Sequence, residues 1–401
     1  MNLGYYFHPI CVFDEAGVAS TEAHWGYFVR ALAHEVGQVT FYAHGGAGTG
    51  TETLRLRPED DVRCVDLGPR RQYPKMHFLP GPNLARFEPK ADALDAMLVR
   101  APTPLLPGMA RRCARDGVPM VVLLVDDTTN WRPTEAFPWW RNLAVMAWQW
   151  TARRSQDHVA RSHLMLAIAP SIVRRRSYKR SAVVPTTSLR RAELSGPAGH
   201  TRAFPSAGSR IRLLFTGRLF EEKGLLEFIE AVKLLVDRGL DVELELVGAS
   251  YGDPTIETIR RKALEHGIAD RVIESGFLEA GPELLAAYDR ADIFVSPTWG
   301  EGSVTRTIKE AFARGVPVVS TTIRENTQFL EDGVHAVLVS VRDADALAGG
   351  IERVAKNPAL RARITAAGFE WVQDYTNEHS AELVAGHIRS EMQRQGKSCD
   401  A

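Results

Sequence analysis

The chain has 401 residues, of which 45% are hydrophobic and 24% charged, and its 49 Lys and Arg balance 49 Asp and Glu to a formal net charge of +0. That length supports two domains with full cores, the composition is that of a globular protein, and the charge balance gives no global attraction to nucleic acid. Cys11, Cys64, Cys113 and Cys399 lack any Cys-x-x-Cys spacing, which argues against zinc and for reduced thiols, and no apolar run reaches the ~18 residues of a membrane span.

The first half alternates short apolar segments with helical stretches. Strands are expected at Leu3–Phe7, Gln38–Ala43, Val62–Leu67, Ala96–Val99, Pro119–Val125, Leu164–Ala169 and Ala182–Val184, and helices at Thr21–Glu35 and Trp139–Ala160. This alternation predicts a doubly wound parallel sheet. No basic and apolar leader precedes Leu3, so a cytoplasmic location is expected. Gly45-Gly-Ala-Gly-Thr-Gly50 follows the second strand and opens no helix, so it reads as a surface loop and not as a dinucleotide site.

Val121-Val-Leu-Leu-Val-Asp-Asp127 ends a buried strand with two acids, at the strand end where ligands of α/β folds gather. Either Asp126 or Asp127 touches substrate, or one caps the following turn and the other is solvated. Thr128 at the third position argues against a metal-binding Asp-x-Asp pair. Trp131–Arg154 concentrates five of the eight tryptophans together with Arg132, Arg141, Arg153 and Arg154, and Arg174–Arg180 adds a basic run. Tryptophan with arginine suits an interfacial membrane contact or a sugar-stacking site; core packing beside a solvated basic face is the alternative. Leu189–Arg210, rich in Ser, Gly, Ala and Pro, has linker composition.

The second half restarts with Ile211-Arg-Leu-Leu-Phe-Thr-Gly-Arg-Leu-Phe-Glu-Glu-Lys-Gly224, a strand, a glycine turn and then the helix Gly224–Asp237. Arg218 and Lys223 at this junction suit the negative charge of a departing diphosphate. Further strands are expected at Asp241–Gly248, Arg271–Leu278, Asp292–Ser296, Pro317–Thr321 and Ala336–Val339. Helices are expected at Thr255–Gly267, Leu284–Arg290, Ser303–Arg314, Glu325–Leu330, Ala344–Ala355 and Ala359–Gly368, with a last one opening at Trp371–Tyr375 and running to about Met392. The loop Pro297–Gly302 leads into a helix N-terminus, whose free N–H groups and dipole suit an anion.

Two of these stretches carry a resemblance. Gly-Arg-Leu-x-x-x-Lys-Gly and Glu-Gly-x-x-x-x-x-x-Lys-Glu-Ala-Phe-Ala-x-Gly-x-Pro-Val-Val resemble the donor-domain motifs of the retaining glycosyltransferases of family 4, which have the GT-B fold. The usual signature separates its two glutamates by seven residues. Here eight separate Glu301 from Glu310, so either the loop holds one extra residue or the first acid is displaced. Gly17–Val36, with Glu22-Ala-His24 at a helix start, is similar to the family's first loop and helix, though only Gly17 of its glycines remains. The resemblance implies two Rossmann-like domains facing across a cleft: 1–203 on the acceptor side, with a linker at about 189–210; 204–370 for the donor; and 371–401 as a helix returning to the first domain.

It also implies site roles. Gly217, Arg218 and Lys223 would hold the diphosphate, with backbone N–H groups of Gly302, Ser303, Val304 and Thr305. Phe277 and Leu278 would meet the base, Glu310 the ribose, Glu301 the sugar, and His24 with Asp126 or Asp127 the acceptor. No cofactor or metal is expected. The donor would be a nucleotide-diphosphate sugar and the activity of hexosyltransferase type. The acceptor would be a carbohydrate, a lipid-linked sugar or a small molecule, and nucleic acid would not be a partner. Peripheral membrane contact would place the protein at the inner face of the membrane. A small-molecule glycosyltransferase and a decayed sugar-nucleotide-binding subunit are the alternative readings.

Overall fold

The computed structural model describes residues 1–47, 53–70, 80–90, 93–125, 138–168, 172–173, 178–185, 189–196, 204–206, 208–250, 256–279, 281–300 and 306–397, without the side chains of His24, Ala144 and Glu325. The chain forms two units, one of Met1–Ser188 with Asn377–Ala401, the other of Leu189–Thr376.

In the first unit, strands β1 (Asn2–Phe13), β2 (Ala19–Glu22), β3 (Gln38–Gly45), β4 (Thr53–Leu56), β5 (Val62–Asp66), β6 (Ala96–Ala101), β7 (Met120–Leu124), β8 (Leu164–Ala167) and β9 (Ser181–Val183) belong to one sheet. Its parallel part runs β5-β3-β1-β6-β7-β8-β9. Strands β1, β2 and β4 form an antiparallel ribbon at one end. The doubly wound parallel sheet is as expected and the ribbon adds to it, whereas the loop expected after Gly17 is corrected here. Asp14 Oδ1 accepts from the backbone N–H groups of Ala16 and Val18, at 3.1 and 2.9 Å, and Gly17 takes φ +77, which closes a hairpin that turns residues 19–22 into a strand. Helix α1 therefore starts at Ala23 and runs to Val36.

The strands are apolar on both faces because both faces are covered. On one face, Phe28, Val29 and Leu32 of α1 and Val384, Ala385 and Ile388 of the C-terminal helix pack on Leu3, Tyr5, Phe41 and Leu98. On the other, Met109 and Cys113 of α2 (Leu106–Arg115) and Val159 at the end of α3 (Trp139–Ala160) pack on Tyr6, Val99 and Val122. The outer face of α3 is unusual. Trp139, Leu143, Met146 and Trp150, at the i, i+4, i+7 and i+11 spacing of one stripe, are 73%, 55%, 48% and 55% exposed. Arg153 and Arg154 continue the stripe, Arg154 over the Trp150 ring at 4.2 Å, and the helix has no acid before Asp157.

The second unit holds a six-stranded, wholly parallel sheet among the described residues. Its strands are β10 (Ile211–Thr216), β11 (Val242–Val247), β12 (Val272–Gly276), β13 (Ile293–Ser296), β14 (Val318–Thr321) and β15 (Val337–Val339), in the order β12-β11-β10-β13-β14-β15. The longer helices are α4 (Leu225–Asp237), α5 (Ile256–Glu265), α6 (Pro282–Arg290), α7 (Arg306–Ala313), α8 (Ala344–Lys356) and α9 (Pro358–Val372). α4 and α8 help cover one face; α6 and α7 cover the other.

The unit begins before the expected boundary at 203/204. Leu189 is buried in its core with Leu194 packed alongside, and Ser195 N–H donates to Ala313 O at 3.0 Å, so apolar anchors override the linker composition. Its end is also later than the expected 370. Trp371 belongs to α9 and not to the last helix; it stacks on Tyr375 at 4.0 Å and meets Phe312 at 5.8 Å. The last helix, α10 (Asn377–Arg394), opens two residues later and belongs to the first unit.

Candidate active site

The strand order of the second unit reverses direction between β10 and β13. Connections leave these two neighbours toward opposite faces, so the space beyond their carboxyl ends is uncovered, and this is where α/β sheets bind ligands. The segment after β10 is Gly217-Arg-Leu-Phe-Glu-Glu-Lys-Gly224, ending in a single 3-10 turn, Glu221–Lys223. The segment after β13 begins Pro297-Thr-Trp-Gly300.

Backbone-to-backbone contact holds the two segments together. A Cβ on Gly224, whose φ is +66, would lie 2.2 Å from the Pro297 carbonyl oxygen, so only glycine permits this approach. Trp299 N–H and Thr298 Oγ1 both donate to Glu222 O at 2.9 Å. Beneath them Ser320 Oγ donates to Ser296 O at 3.0 Å, Thr321 Oγ1 donates to Thr298 O, and Asn326 Nδ2 donates to Ser320 Oγ and Thr321 O. A similar close approach, 1.8 Å for a Cβ on Gly248 against Gly217 O, seats the start of the first segment on the end of β11.

This frame brings Arg218 and Lys223 together. Both cations lie over the Phe220 ring, at 5.2 and 5.4 Å from its centroid. Burial, and then the Arg218 charge, pulls the Lys223 ammonium down to about 8. Two like charges that share one partly buried ring form a local positive centre suited to a dianion. Phe220 was not among the sequence-predicted residues, though an aromatic midway between the two cations was visible in the motif.

Glu310, from α7, is 3% exposed. Its Oε1 accepts from Arg306 Nε at 2.6 Å and its Oε2 from the Tyr288 hydroxyl at 2.8 Å. Burial and the nearby Glu310 charge hold the Tyr288 phenol well above its ordinary range, so it keeps its proton. Since that one proton goes to Glu310, the tyrosine oxygen accepts from Thr216 Oγ1, 2.6 Å away. A hydrogen-bonded line thus runs from the end of β10 to the carboxylate, and one lone pair on each carboxylate oxygen is left unclaimed among the described residues. Tyr288 and Thr216 were not among the sequence-predicted site residues.

Gly276 closes the end of β12, with its carbonyl accepting from Gly248 N–H at 2.7 Å. Beyond it the Phe277 ring is 70% exposed and Leu278 is partly buried. Glu301, Gly302, Ser303, Val304 and Thr305 lie outside the described residues, as do Asp126 and Asp127 and the side chain of His24, although His24 itself is in the first turn of α1. Among the described residues no group of three or more His, Cys, Asp or Glu is placed to hold a metal, and no helix is long and apolar enough to cross a membrane.

Residues 210–357 match the family described as glycosyl transferases group 1. Relatives align over part of the chain. The lipopolysaccharide core biosynthesis glycosyltransferase LpsE of Rhizobium meliloti is 32% identical over 154 residues, 38% of this chain and 42% of that protein. The phosphatidyl-myo-inositol mannosyltransferase of Mycobacterium leprae is 32% identical over 173 residues, 43% of this chain and 44% of that protein. The alignments thus span less than half the length of these curated relatives.

Solved GT-B structures resemble the whole chain at low identity. Anabaena HepE in complex with UDP has a TM-score of 0.65 at 18% identity, covering 97% of this chain and 100% of that one. The sucrose-phosphate synthase of Thermosynechococcus elongatus has a TM-score of 0.64 at 16% identity, covering 98% and 99%.

Replacing Gly224 by alanine places a methyl group against the Pro297 carbonyl in a left-handed conformation. The expected outcome is a loss of roughly 1–3 kcal/mol in denaturant unfolding together with displacement of Lys223. Unaltered stability would show that the two segments are not held by this contact. The match over residues 210–357 places the second unit among the glycosyl transferases group 1, and the doubly wound sheets with the shared architecture give the chain the GT-B fold.

Proposed function

We propose that the protein transfers a sugar from a nucleotide-diphosphate sugar to a hydroxyl acceptor with retention of anomeric configuration, as a step in polysaccharide, glycolipid or other glycoconjugate assembly. The observation that carries this reading is the convergence of Arg218 and Lys223 on Phe220 at the carboxyl end of β10. The names of the relatives, which include lipopolysaccharide and phosphatidylinositol glycosyltransferases, support the glycoconjugate setting.

In this mechanism the bond from the anomeric carbon to the diphosphate breaks as the bond to the acceptor oxygen forms on the same face. The acceptor proton passes to the departing phosphate oxygen. Arg218 and Lys223 neutralise the growing charge without a metal, since two fixed cations stabilise a leaving dianion as it forms. Glu310 uses its remaining lone pairs on the ribose diol, and the exposed Phe277 ring lies under the base. Gly302–Thr305 would add backbone N–H donors, Glu301 would orient the sugar, and His24 with Asp126 or Asp127 would receive the acceptor. The transferred sugar is of hexosyl type.

The stripe of Trp139, Leu143, Met146 and Trp150, followed by Arg153 and Arg154, supports peripheral contact with the anionic inner face of a membrane.

The first test is the thermal midpoint of the protein with UDP-, GDP-, ADP- and TDP-sugars and with the free nucleotides. One nucleotide series is expected to raise it, by about 2.7 kcal/mol of added stability at 100 times the dissociation constant. Substituting Arg218 and Lys223 by alanine is expected to abolish the shift. No response to any nucleotide from the folded protein would overturn the donor assignment.

A second expectation concerns pH. Lys223 titrates near 8, so the cation that binds diphosphate is present below that pH and is lost as pH rises through it. For the donor, kcat/KM is expected to fall about tenfold per unit above the transition, and Lys223→Arg to move that fall to higher pH. A profile flat to the alkaline side in the parent protein would exclude a charged Lys223 from donor binding. Third, sedimentation with phosphatidylglycerol vesicles is expected to decrease when Trp139 and Trp150 become serine, with folding unchanged. Equal sedimentation of both proteins would leave α3 without a membrane role.

A further inference from the structure

The first unit has its own reversal of strand order, between β1 and β6, and a buried arginine sits on it. Along β6, Ala96, Leu98 and Arg100 alternate onto the face covered by α1. The first two are fully buried core residues; the third, at 9% exposure, is a guanidinium in the same row. Tyr6 pairs with Val99, so Phe7 is the next neighbour of Arg100 across the strands. The guanidinium lies between two rings, 4.2 Å from the Phe7 centroid and 4.3 Å from that of Trp25 on α1. Its Nε is buried without a hydrogen-bond partner, and no carboxylate among the described residues pairs with it. The Tyr5 phenol is its polar neighbour. Aromatic faces offset only part of the cost of burying a charge, so the row carries an arginine where an apolar side chain would be more stable.

The surroundings add positive character. Strand β1 shifts register against β3 between Tyr6 and Ile10, and this bulge carries Phe7 and His8. Arg70 Nη1 donates to His8 O at 3.3 Å, and the His8 ring is 4.9 Å from that of Phe7. Burial, and then the charges of Arg100, Arg70 and His44, pull His8 down to about 4, so it is neutral at physiological pH. Asp66 on the neighbouring strand β5 is already engaged by the N–H groups of Gly45 and Gly68 and by Arg86.

We propose that Arg100, with Arg70 and His8, forms an oxyanion site in the first unit that binds a phosphoryl group carried by the acceptor. This rests on the reading of the first unit as the acceptor side. Two arginines match the charge of a phosphate dianion better than that of a carboxylate, and a planar guanidinium suits two phosphate oxygens at once. The location, at the carboxyl end of β6 and at the bulge where β1 stops pairing with it, is where a sheet of this order receives a ligand. The site thus selects acceptors that already carry phosphate, so the reaction that supplies them is a phosphoryl transfer.

The test uses the full chain with Arg218→Ala and Lys223→Ala, so that the donor site cannot answer, and inorganic phosphate as the probe against chloride of equal ionic strength. The thermal midpoint is expected to rise saturably with phosphate. Adding Arg100→Met is expected to weaken phosphate binding by about tenfold to a hundredfold, the change that ~1.5–3 kcal/mol of charge-assisted hydrogen bonding corresponds to. Without phosphate, its midpoint is expected to equal or exceed that of its parent. Should Arg100→Met fail to fold, Arg70→Ala, at an exposed position, is expected to weaken phosphate binding with no loss of stability.

No saturable response in the parent, or an equal response after Arg100→Met, would overturn the site. A lowered midpoint with an unchanged response would assign Arg100 to packing. These outcomes are independent of the nucleotide response of the unsubstituted protein, so either reading can fail alone. Phosphatidylcholine vesicles with and without phosphatidic acid separate the sources. Acid-dependent binding lost in Arg100→Met places the phosphate on a lipid headgroup; equal binding, beside a positive inorganic phosphate response, places it on a soluble acceptor.

Discussion

Two neighbouring parallel strands whose connections depart toward opposite faces leave a gap at their carboxyl ends, and both units of this chain are organised around such a gap. In the second unit the gap lies between β10 and β13, and its walls meet backbone to backbone. Gly224 against the Pro297 carbonyl and Gly248 against the Gly217 carbonyl are approaches that any side chain would prevent. Because main chain and not side chain sets the spacing, Lys223 and Arg218 are delivered to fixed positions by covalent geometry one residue away. The hydrogen bonds of Thr298, Ser320, Thr321 and Asn326 then stiffen the floor on which those approaches rest.

The two gaps hold charge in different ways. Glu310 is buried but compensated: Arg306 supplies a cation, Tyr288 a proton, and Thr216 completes the line. Arg218 and Lys223 are drawn together over one ring, which leaves them mutually repulsive. Arg100 is enclosed by two aromatic faces with no carboxylate partner among the described residues. A compensated group is a stable part of the scaffold, whereas an enclosed cation with no carboxylate partner among the described residues is an arrangement that an incoming anion relieves.

Much of the second unit was legible because its signals are local. Apolar runs bounded by glycine mark the strands, and the cations of Gly-Arg-Leu-x-x-x-Lys-Gly lie in one short segment. What escaped depends on contacts distant in sequence. Tyr288 and Glu310 are joined only by the folding of α6 beside α7, and Phe7 meets Arg100 only because β1 pairs with β6. The hairpin at Asp14–Gly17 was overlooked because a short polar turn outweighs the helix-like content of the residues after it. Boundaries misled for the converse reason. Leu189 and Leu194 are single apolar residues in a stretch of linker composition, and two side chains suffice to anchor it.

The placement of α10 bears on the order in which the protein matures. Val384, Ala385 and Ile388 cover the face of the first sheet that α1 covers only in part, yet they are translated only after the second unit. While residues 189–376 emerge from the ribosome, that apolar face stays open, and the second unit is the first to hold every strand and helix it needs. Nascent chains of this protein therefore complete their later-encoded half before their earlier one, the reverse of the usual vectorial order. In that interval the uncovered face of the amino-terminal half is a natural substrate for chaperones.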